Sequence, residues 1–343
     1  IGLKPDAIWK AQGDKASLNL QVETDPQAFE PCQAGTLQSL RDFIESARIE
    51  LPEALPPMAA GVFGYMGYDF VRLMENLPDE NPDVLGLPDG LFLRPTVIAV
   101  FDSVKDEVML VTPVRVADAV TAKMAYERAL ARLEVTIGDF DQALAHADPM
   151  VDVATMPAPV SNTPKETYFE MVRAAKEYIA AGDIFQVVLS QRFEAPFELP
   201  PFSLYRALRR INPSPYLFFL NFEGFSLVGS SPEILVRVRD GKVTIRPIAG
   251  TRHRGTSRAE DALIAADLLE DPKERAEHLM LLDLGRNDVG RVSKLGSVRV
   301  TDQFALQYTS HLIHIVSNVE GELDNKFDAI SALIAGHPAG TVS

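Results

Sequence analysis

Cysteine is nearly missing from this 343-residue chain: Cys32 is the single one. One thiol cannot form an internal disulfide, which excludes a secreted disulfide scaffold. Long apolar runs are missing too. The most apolar stretch, Tyr216 to Val228, is broken by Asn221 and Glu223, and nothing approaches the ~20 residues that a membrane span needs. Positive charge is scarce: 33 Lys and Arg stand against 48 Asp and Glu, a net charge of −15. Such a surface does not suit nucleic acid, whose phosphates need basic partners. The opening residues carry no secretory pattern, and there is no internal repeat or low-complexity block. The expected setting is the cytoplasm, with neither a membrane nor nucleic acid as partner.

What is present reads as a globular protein. Apolar residues make up 46% and charged residues 24%, ordinary values that leave no room for a disordered chain. At roughly 150 residues per domain, two domains are expected. Residues 1–140 mix strand and helix signals. Leu37–Ala47 and Val120–Val135 have helical periodicity, and Pro95–Phe101 with Glu107–Val114 reads as a hairpin. Gly61–Phe70 reads as a strand whose glycines at 61, 64 and 67 lack the spacing of a dinucleotide fingerprint. Residues 141–161, with Pro149, Pro157 and Pro159, form the linker candidate. The second domain is expected over 162–343.

In that second part Thr163-Pro164-Lys165-Glu166 reads as a capping box, and Gly182 is placed to end the helix that follows. Ile184–Phe193 alternates as a strand. Tyr216–Phe222, Ser226–Ser230 and Ile234–Val238 follow as strands, and Asp240-Gly241 turns into Lys242–Arg246. Ala259–Glu270 is a helix, Asp271 caps another towards Asn287, and Phe304–Val319 is strand-like or mixed. Hairpins with helices between them point to α+β with antiparallel sheets.

Several positions could carry chemistry. Glu274 and Glu277 are three apart and share a helix face near its N-terminus. Capping by the helix dipole explains Glu274. Glu277 lies on the stripe of Leu281 and Leu284, where a carboxylate needs a partner, and a hard cation such as Mg²⁺ is one. His311 and His314 are also three apart. A zinc helix needs four, and on a strand the pair would face opposite ways, so no shared metal is expected. His314, inside Leu312–Val316, is either a satisfied core histidine or an acid–base group. Arg246, Arg252 and Arg254 crowd one turn: either a solvated loop or an anion site.

Taken together, seven segments resemble the chorismate-using enzymes, and within them component I of anthranilate synthase. They are Gly182–Ser190, Asn212–Tyr216, Ser230-Ser231-Pro232-Glu233, Arg246–Gly255, Ala276–Met280 with Asp283–Asp288, Ile313–Ser317 and Pro338–Ser343. They stand in family order, and the resemblance covers the chain weakly before the linker and strongly after it. It implies antiparallel sheets packed as a sandwich with helices outside. It also implies a reaction, the first committed step of tryptophan synthesis. Ammonia attacks C2 of chorismate, the C4 hydroxyl leaves, and pyruvate is eliminated to give anthranilate.

The resemblance carries roles to matching positions. Glu277 resembles a Mg²⁺ ligand and Glu274 a supporting carboxylate. Glu233 resembles the general acid for the departing hydroxyl, and His314 the catalytic histidine. Ala249, Gly250, Thr251 and Thr341 resemble substrate contacts. Pro215 and Tyr216 match part of a tryptophan feedback pocket, with Leu217 where methionine is usual. Isochorismate synthases have Lys where this chain has Gln186, and aminodeoxychorismate synthases often have Lys where it has Ala249. Neither amine is present, which fits external ammonia supplied by a glutamine amidotransferase subunit. Alternatives are an aminodeoxychorismate synthase, or a non-catalytic binding or assembly fragment. The family starts before Ile1. It continues past Ser343 with further strands and a second glutamate-bearing helix. An incomplete domain at both ends, inactive alone on chorismate, is therefore expected.

Overall fold

Trp9 anchors the first half of the chain. It sits on strand β1 (Gly2–Gln12), where Ala7, Trp9 and Ala11 alternate into the interior. A computed structural model of the chain describes residues 1–115, 120–143 and 156–338. It divides into two units. In the first, β2 (Lys15–Asn19), β3 (Glu30–Pro31), β4 (Phe63–Met66), β5 (Gly90–Asp102) and β6 (Glu107–Val111) join β1. The order is β3-β2-β1-β5-β4, with β6 also on β5, and every pair is antiparallel. Helix α1 (Thr36–Ala47) lays Leu40 and Phe43 on this sheet. Trp9 is fully buried, so its indole N–H needs an acceptor; Ser39 Oγ supplies one at 3.0 Å. Helix α2 (Ala122–Phe140) is capped by Thr121, which accepts from Met124 N.

The first unit also takes back residues 325–338, so the second domain does not run unbroken from residue 162. The reason is packing. Ile330, on the short helix Ala329–Ala335, belongs to the Trp9 core, and Asp328 meets Arg41 Nε at 2.7 Å. Of the expected linker 141–161, residues 144–155 lie outside the described residues.

The second unit is built on β15 (Leu312–Glu322). One edge of β15 carries two strands in succession, β12 (Lys242–Ile245) and β13 (Ile248–His253). Between them Pro247 has no N–H to donate, and its carbonyl accepts from Ser317 N at 3.1 Å. The other edge carries β14 (Arg299–Tyr308), and β11 (Arg237–Arg239) completes the sheet beyond β12. Helices α5 (Arg258–Glu270) and α6 (Pro272–Val292) pack on it. Their Leu268, Leu281 and Val289 are buried, as are Ile313, Ile315 and Val319 of β15. Asp271 caps α6 by accepting from Lys273 N and Glu274 N. A hairpin of β9 (Tyr216–Phe222) and β10 (Phe225–Ser231) carries α4 (Pro201–Ile211). Helix α3 (Lys165–Ala181) ends on Gly182 at φ +82°, the left-handed cap glycine suits. The architecture is α+β with antiparallel sheets, as the residue pattern leads one to expect. Among the described residues no helix is long and apolar enough to cross a membrane.

Several local expectations fail. Thr163 does not cap α3; its hydroxyl turns to Asn162 Oδ1. Gly61–Phe70 shrinks to β4 followed by the 3₁₀ turn Tyr68–Leu73, and Ile234–Val238 contributes only the start of β11. The largest miss is Ile184–Phe193. Only Phe193–Glu194 is a strand (β8), paired with Val160–Ser161 (β7). Leu189 O accepts from Tyr168 Oη and Arg192 N donates to Asn162 Oδ1, so side chains take ladder positions. Phe185 stays 85% exposed and Val188 78%. Alternation marks a strand only where another edge is there to pair with it.

Candidate active site

Gly250 breaks the register of β13 against β15. Ala249 pairs with Ile315 and Thr251 with His314, leaving Gly250 as an extra residue at φ +74°. This is a bulge that glycine makes possible. A Cβ there would lie 3.2 Å from Leu268, 3.3 Å from Glu274 Oε2 and 3.3 Å from Ile315. Gly250→Ala is expected to destabilise the protein by about 1–3 kcal/mol, from left-handed strain and crowding together. A thermal melt checks this, and an unchanged midpoint would contradict it.

The bulge opens on a cavity of about 390 Å³. Ala249, Gly250 and Thr251 line it from β13, His314 from β15, and Glu274 and Glu277 from α6. Glu233 enters from the segment after β10. These seven residues are separated by up to 81 positions, and the fold brings them to one wall-to-wall space. Thr341 lies outside the described residues.

The two α6 carboxylates differ in their partners. Glu274 meets Arg252 Nη1 at 3.5 Å and Lys273 Nζ at 3.9 Å. Glu277 has no cationic partner among the described residues, and Gln186 Nε2 donates to its Oε1 at 3.3 Å. Arg252 also reaches Asp267 at 3.2 Å and Asp271 at 2.8 Å. Arg254 bonds Asp261 at 2.6 Å and Thr309 O at 2.7 Å, with its plane over Tyr308. Arg246 donates to Gln307. The arginine turn is therefore no solvated loop: Arg252 and Arg254 are taken up by carboxylates, while Ala249, Gly250 and Thr251 of the same stretch line the cavity. Most of it is strand β13, and its Arg252 and Arg254 tie that strand to acidic residues of α5 and of the start of α6.

Glu233 is the electrostatic outlier. Its Oε2 is buried with no hydrogen-bond partner. Burial penalises the charged form, and the carboxyl is pushed up from its ordinary 4.5 to about 7. Ser231 holds the turn around it: Ser231 Oγ donates to Glu233 O at 3.0 Å and accepts from Glu233 N at 3.4 Å. His314 Nδ1 lies 3.2 Å from Thr251 Oγ1. Burial pushes its pKa down while a hydrogen bond with the Gly250 backbone works the other way. The imidazole stays neutral at pH 7, able to accept a proton. One neutral acid, one neutral imidazole and one open carboxylate in a single cavity suit proton transfer.

Pro215, Tyr216 and Leu217 do not line the cavity. They stand one strand away: Tyr216 pairs with Ser231 and Leu217 with Ser230, both of which line it. His311 is exposed and clear of the site. Sequence reading gave no role to His278 and Ser317. His278 is fully buried, its Nε2 2.7 Å from Ser317 Oγ, and burial lowers its pKa to about 4. Ser317 Oγ also accepts from Phe304 N. His278 thus ties α6, one residue after Glu277, to the strand that carries His314. Its spacing of three and four from Leu281 and Leu282 was the available signal for burial.

A family model for chorismate binding enzymes matches residues 4–343. The chain belongs to that family. It is 54% identical to anthranilate synthase component 1 of Cereibacter sphaeroides over 343 residues, spanning all of this chain and 69% of that protein. The component 1 of Thermus thermophilus is 45% identical over 297 residues, 87% of this chain and 62% of that one. Anthranilate synthase component I from Streptococcus pneumoniae superposes with a TM-score of 0.85. That structure is 33% identical, and the match covers 100% of this chain and 73% of that one. The menaquinone-specific isochorismate synthase of Escherichia coli, 18% identical with a TM-score of 0.62 over 97% of this chain and 68% of that one, shares the fold.

Proposed function

We propose that this member of the chorismate binding family carries out the chemistry of component 1 of anthranilate synthase. Chorismate and ammonia give anthranilate, pyruvate and water. One observation carries the reading: Glu233, half-buried with its Oε2 shielded from water and held neutral up to about pH 7, shares a cavity with His314, Thr251 and Glu277. Hydroxide is a poor leaving group, so loss of the C4 hydroxyl needs a positioned proton, and Glu233 offers one. Ammonia forms the new C–N bond at C2 as the C4–O bond breaks and the ring double bond shifts. The C3–O bond then breaks to release pyruvate as the C2 proton is removed, and the ring becomes aromatic. His314, poised by Thr251, is the neutral base on hand for that proton.

The choice of nucleophile rests on Gln186 and Ala249. Ala249 lines the cavity and Gln186 bonds to Glu277, so both family-selecting positions adjoin the site and neither offers an amine. Ammonia from outside, delivered by a glutamine amidotransferase subunit, completes the reaction. For a hard divalent cation the donor set fits in a limited way. Among the described residues no group of three metal-ligating side chains occurs, so there is no protein cage. Mg²⁺ commonly takes one or two carboxylates and fills its shell with substrate oxygens and water. Glu277 is the carboxylate left open for this role, with Glu274 as a neighbour already engaged by Arg252. When bound, the cation supplies positive charge to the substrate's carboxylate. Tryptophan as feedback ligand rests on the resemblance of Pro215, Tyr216 and Leu217 to the family's effector pocket, and Tyr216 and Leu217 pair with β10, whose Ser230 and Ser231 line the cavity.

The test is product analysis with chorismate, ammonium and Mg²⁺ on the protein carrying the flanking segments that its 54%-identical relative has, of which this chain spans 69%. The kinetic predictions concern that longer protein, and no turnover is expected of the 343 residues alone. Anthranilate is expected. A 4-amino product would establish an aminodeoxychorismate synthase instead. Saturable chorismate binding without any product would favour a non-catalytic binding role.

A further inference from the structure

The first unit contains a second cavity, of about 230 Å³, with an unusual lining for so acidic a protein. Four arginines face it: Arg94 from β5, Arg115 after β6, and Arg128 and Arg132 from α2. Asp6 is the one carboxylate among the lining residues described. Like charges gathered in a recess repel one another, and one that is also partly buried becomes dearer to keep ionised. Arg115 shows the effect: burial first, then the neighbouring Arg94, push its pKa down.

Structural duties account for only part of this donor set. Arg94 Nε bonds Asp6 at 2.7 Å. Arg115 gives Nη2 to Ala47 O at 2.7 Å and Nη1 to Ser46 O at 3.3 Å, closing the end of α1. Arg132 gives Nε to Thr112 Oγ1 and Nη2 to Pro113 O. Each guanidinium has five N–H groups, so among the described residues both Nη groups of Arg94, Nε of Arg115 and Nη1 of Arg132 are left over. Arg128 is exposed and makes no hydrogen bond or ion pair among the described residues. Nothing in the reaction proposed above uses any of these groups.

We propose that this cavity is a binding site for a small, multiply charged oxyanion of the pyrophosphate or phosphate-ester type. Guanidinium forks match such oxygens in pairs, which lysines would not do. The volume equals that of about eight waters at their liquid density, room for a pyrophosphate-sized group. A bound anion relieves the repulsion between Arg94 and Arg115 and gives Arg128 a partner. The site stands independently of the chorismate chemistry.

The experiment is calorimetric titration and thermal melting of the purified chain with inorganic pyrophosphate. Sodium chloride matched for ionic strength is the blank, and citrate is a second arm. Saturable one-to-one binding and a raised melting midpoint are expected with pyrophosphate beyond the chloride blank. Arg128→Ala should weaken binding by about tenfold, the equivalent of one charge-assisted contact, and Arg128→Glu should weaken it further. Neither should lower the anion-free melting midpoint, since each removes a like charge from the cluster and Arg128→Glu adds an i,i+4 partner for Arg132. Arg209→Ala, an exposed arginine of the other unit, should change nothing. Preference for pyrophosphate over citrate supports a phosphate-type site, and equal binding of citrate would overturn that assignment of ligand class. No saturable binding beyond the blank, or affinity untouched by Arg128→Glu, would overturn the proposal.

Discussion

Glu233→Gln should cut kcat for anthranilate formation by about 10²–10⁴-fold, the usual worth of a positioned general acid. Chorismate affinity should change little. The amide keeps the shape of the side chain but has no proton to give the departing hydroxyl. The native enzyme should also lose kcat as pH rises through about 7, because Glu233 donates only while protonated and its pKa is held there by burial. The same shift predicts stability. The unfolded chain ionises Glu233 near 4.5 and the folded chain near 7. Between those values the folded state holds the extra proton, so this residue's contribution to stability falls as pH rises through the window. Glu233→Gln should remove that slope. A kcat profile and pH-dependent melts of both proteins measure the two effects. A variant with native kcat, or an unchanged stability slope, would show that Glu233 is not the acid.

That acid was legible in the sequence only as part of Ser230-Ser231-Pro232-Glu233; its isolation from hydrogen-bond partners was not. The contrast holds through the molecule. Features set by neighbours in sequence could be read: the Asp271 cap, the Asp240-Gly241 turn, the Gly182 terminus and the strands β9 and β10. Features set by distant partners could not. Ile184–Phe193 has the alternation of a strand, but its backbone meets Tyr168 and Asn162 in place of a ladder. Thr163 had the right spacing to cap a helix and found Asn162 closer. Spacing in Arg246–Gly255 showed clustered charge without revealing that Asp261, Asp267 and Asp271 would claim Arg252 and Arg254. Even so, residues 233, 249–251, 274, 277 and 314, picked from separate motifs, line one cavity. The motif order carried that convergence, since periodicity cannot place a glutamate and a histidine 81 positions apart side by side.

Glu277→Gln should lower Mg²⁺-dependent turnover on the order of 10²–10³-fold while leaving the melting midpoint within about 1 kcal/mol of native stability. The argument is the unequal pairing of two carboxylates on one helix face. Glu274 is engaged by Arg252 and Lys273, and its side chain is only 15% exposed. Removing its charge leaves Arg252 with two carboxylates in place of three and loosens β13 against α6. Glu277 faces the cavity with a single neutral donor, Gln186, so its charge has no cation inside the described protein to lose. Glu274→Gln should therefore lower stability as well as rate, and Glu277→Gln should lower rate alone. Raising Mg²⁺ should recover part of the Glu277→Gln loss if the carboxylate serves the ion, because weaker binding is offset by mass action. Turnover and its Mg²⁺ dependence, measured beside melting curves for both variants, separate the roles. Native Mg²⁺ dependence in Glu277→Gln would remove the metal assignment. Equal loss of stability in the two variants would mean that Glu277, like Glu274, is a structural carboxylate of α6.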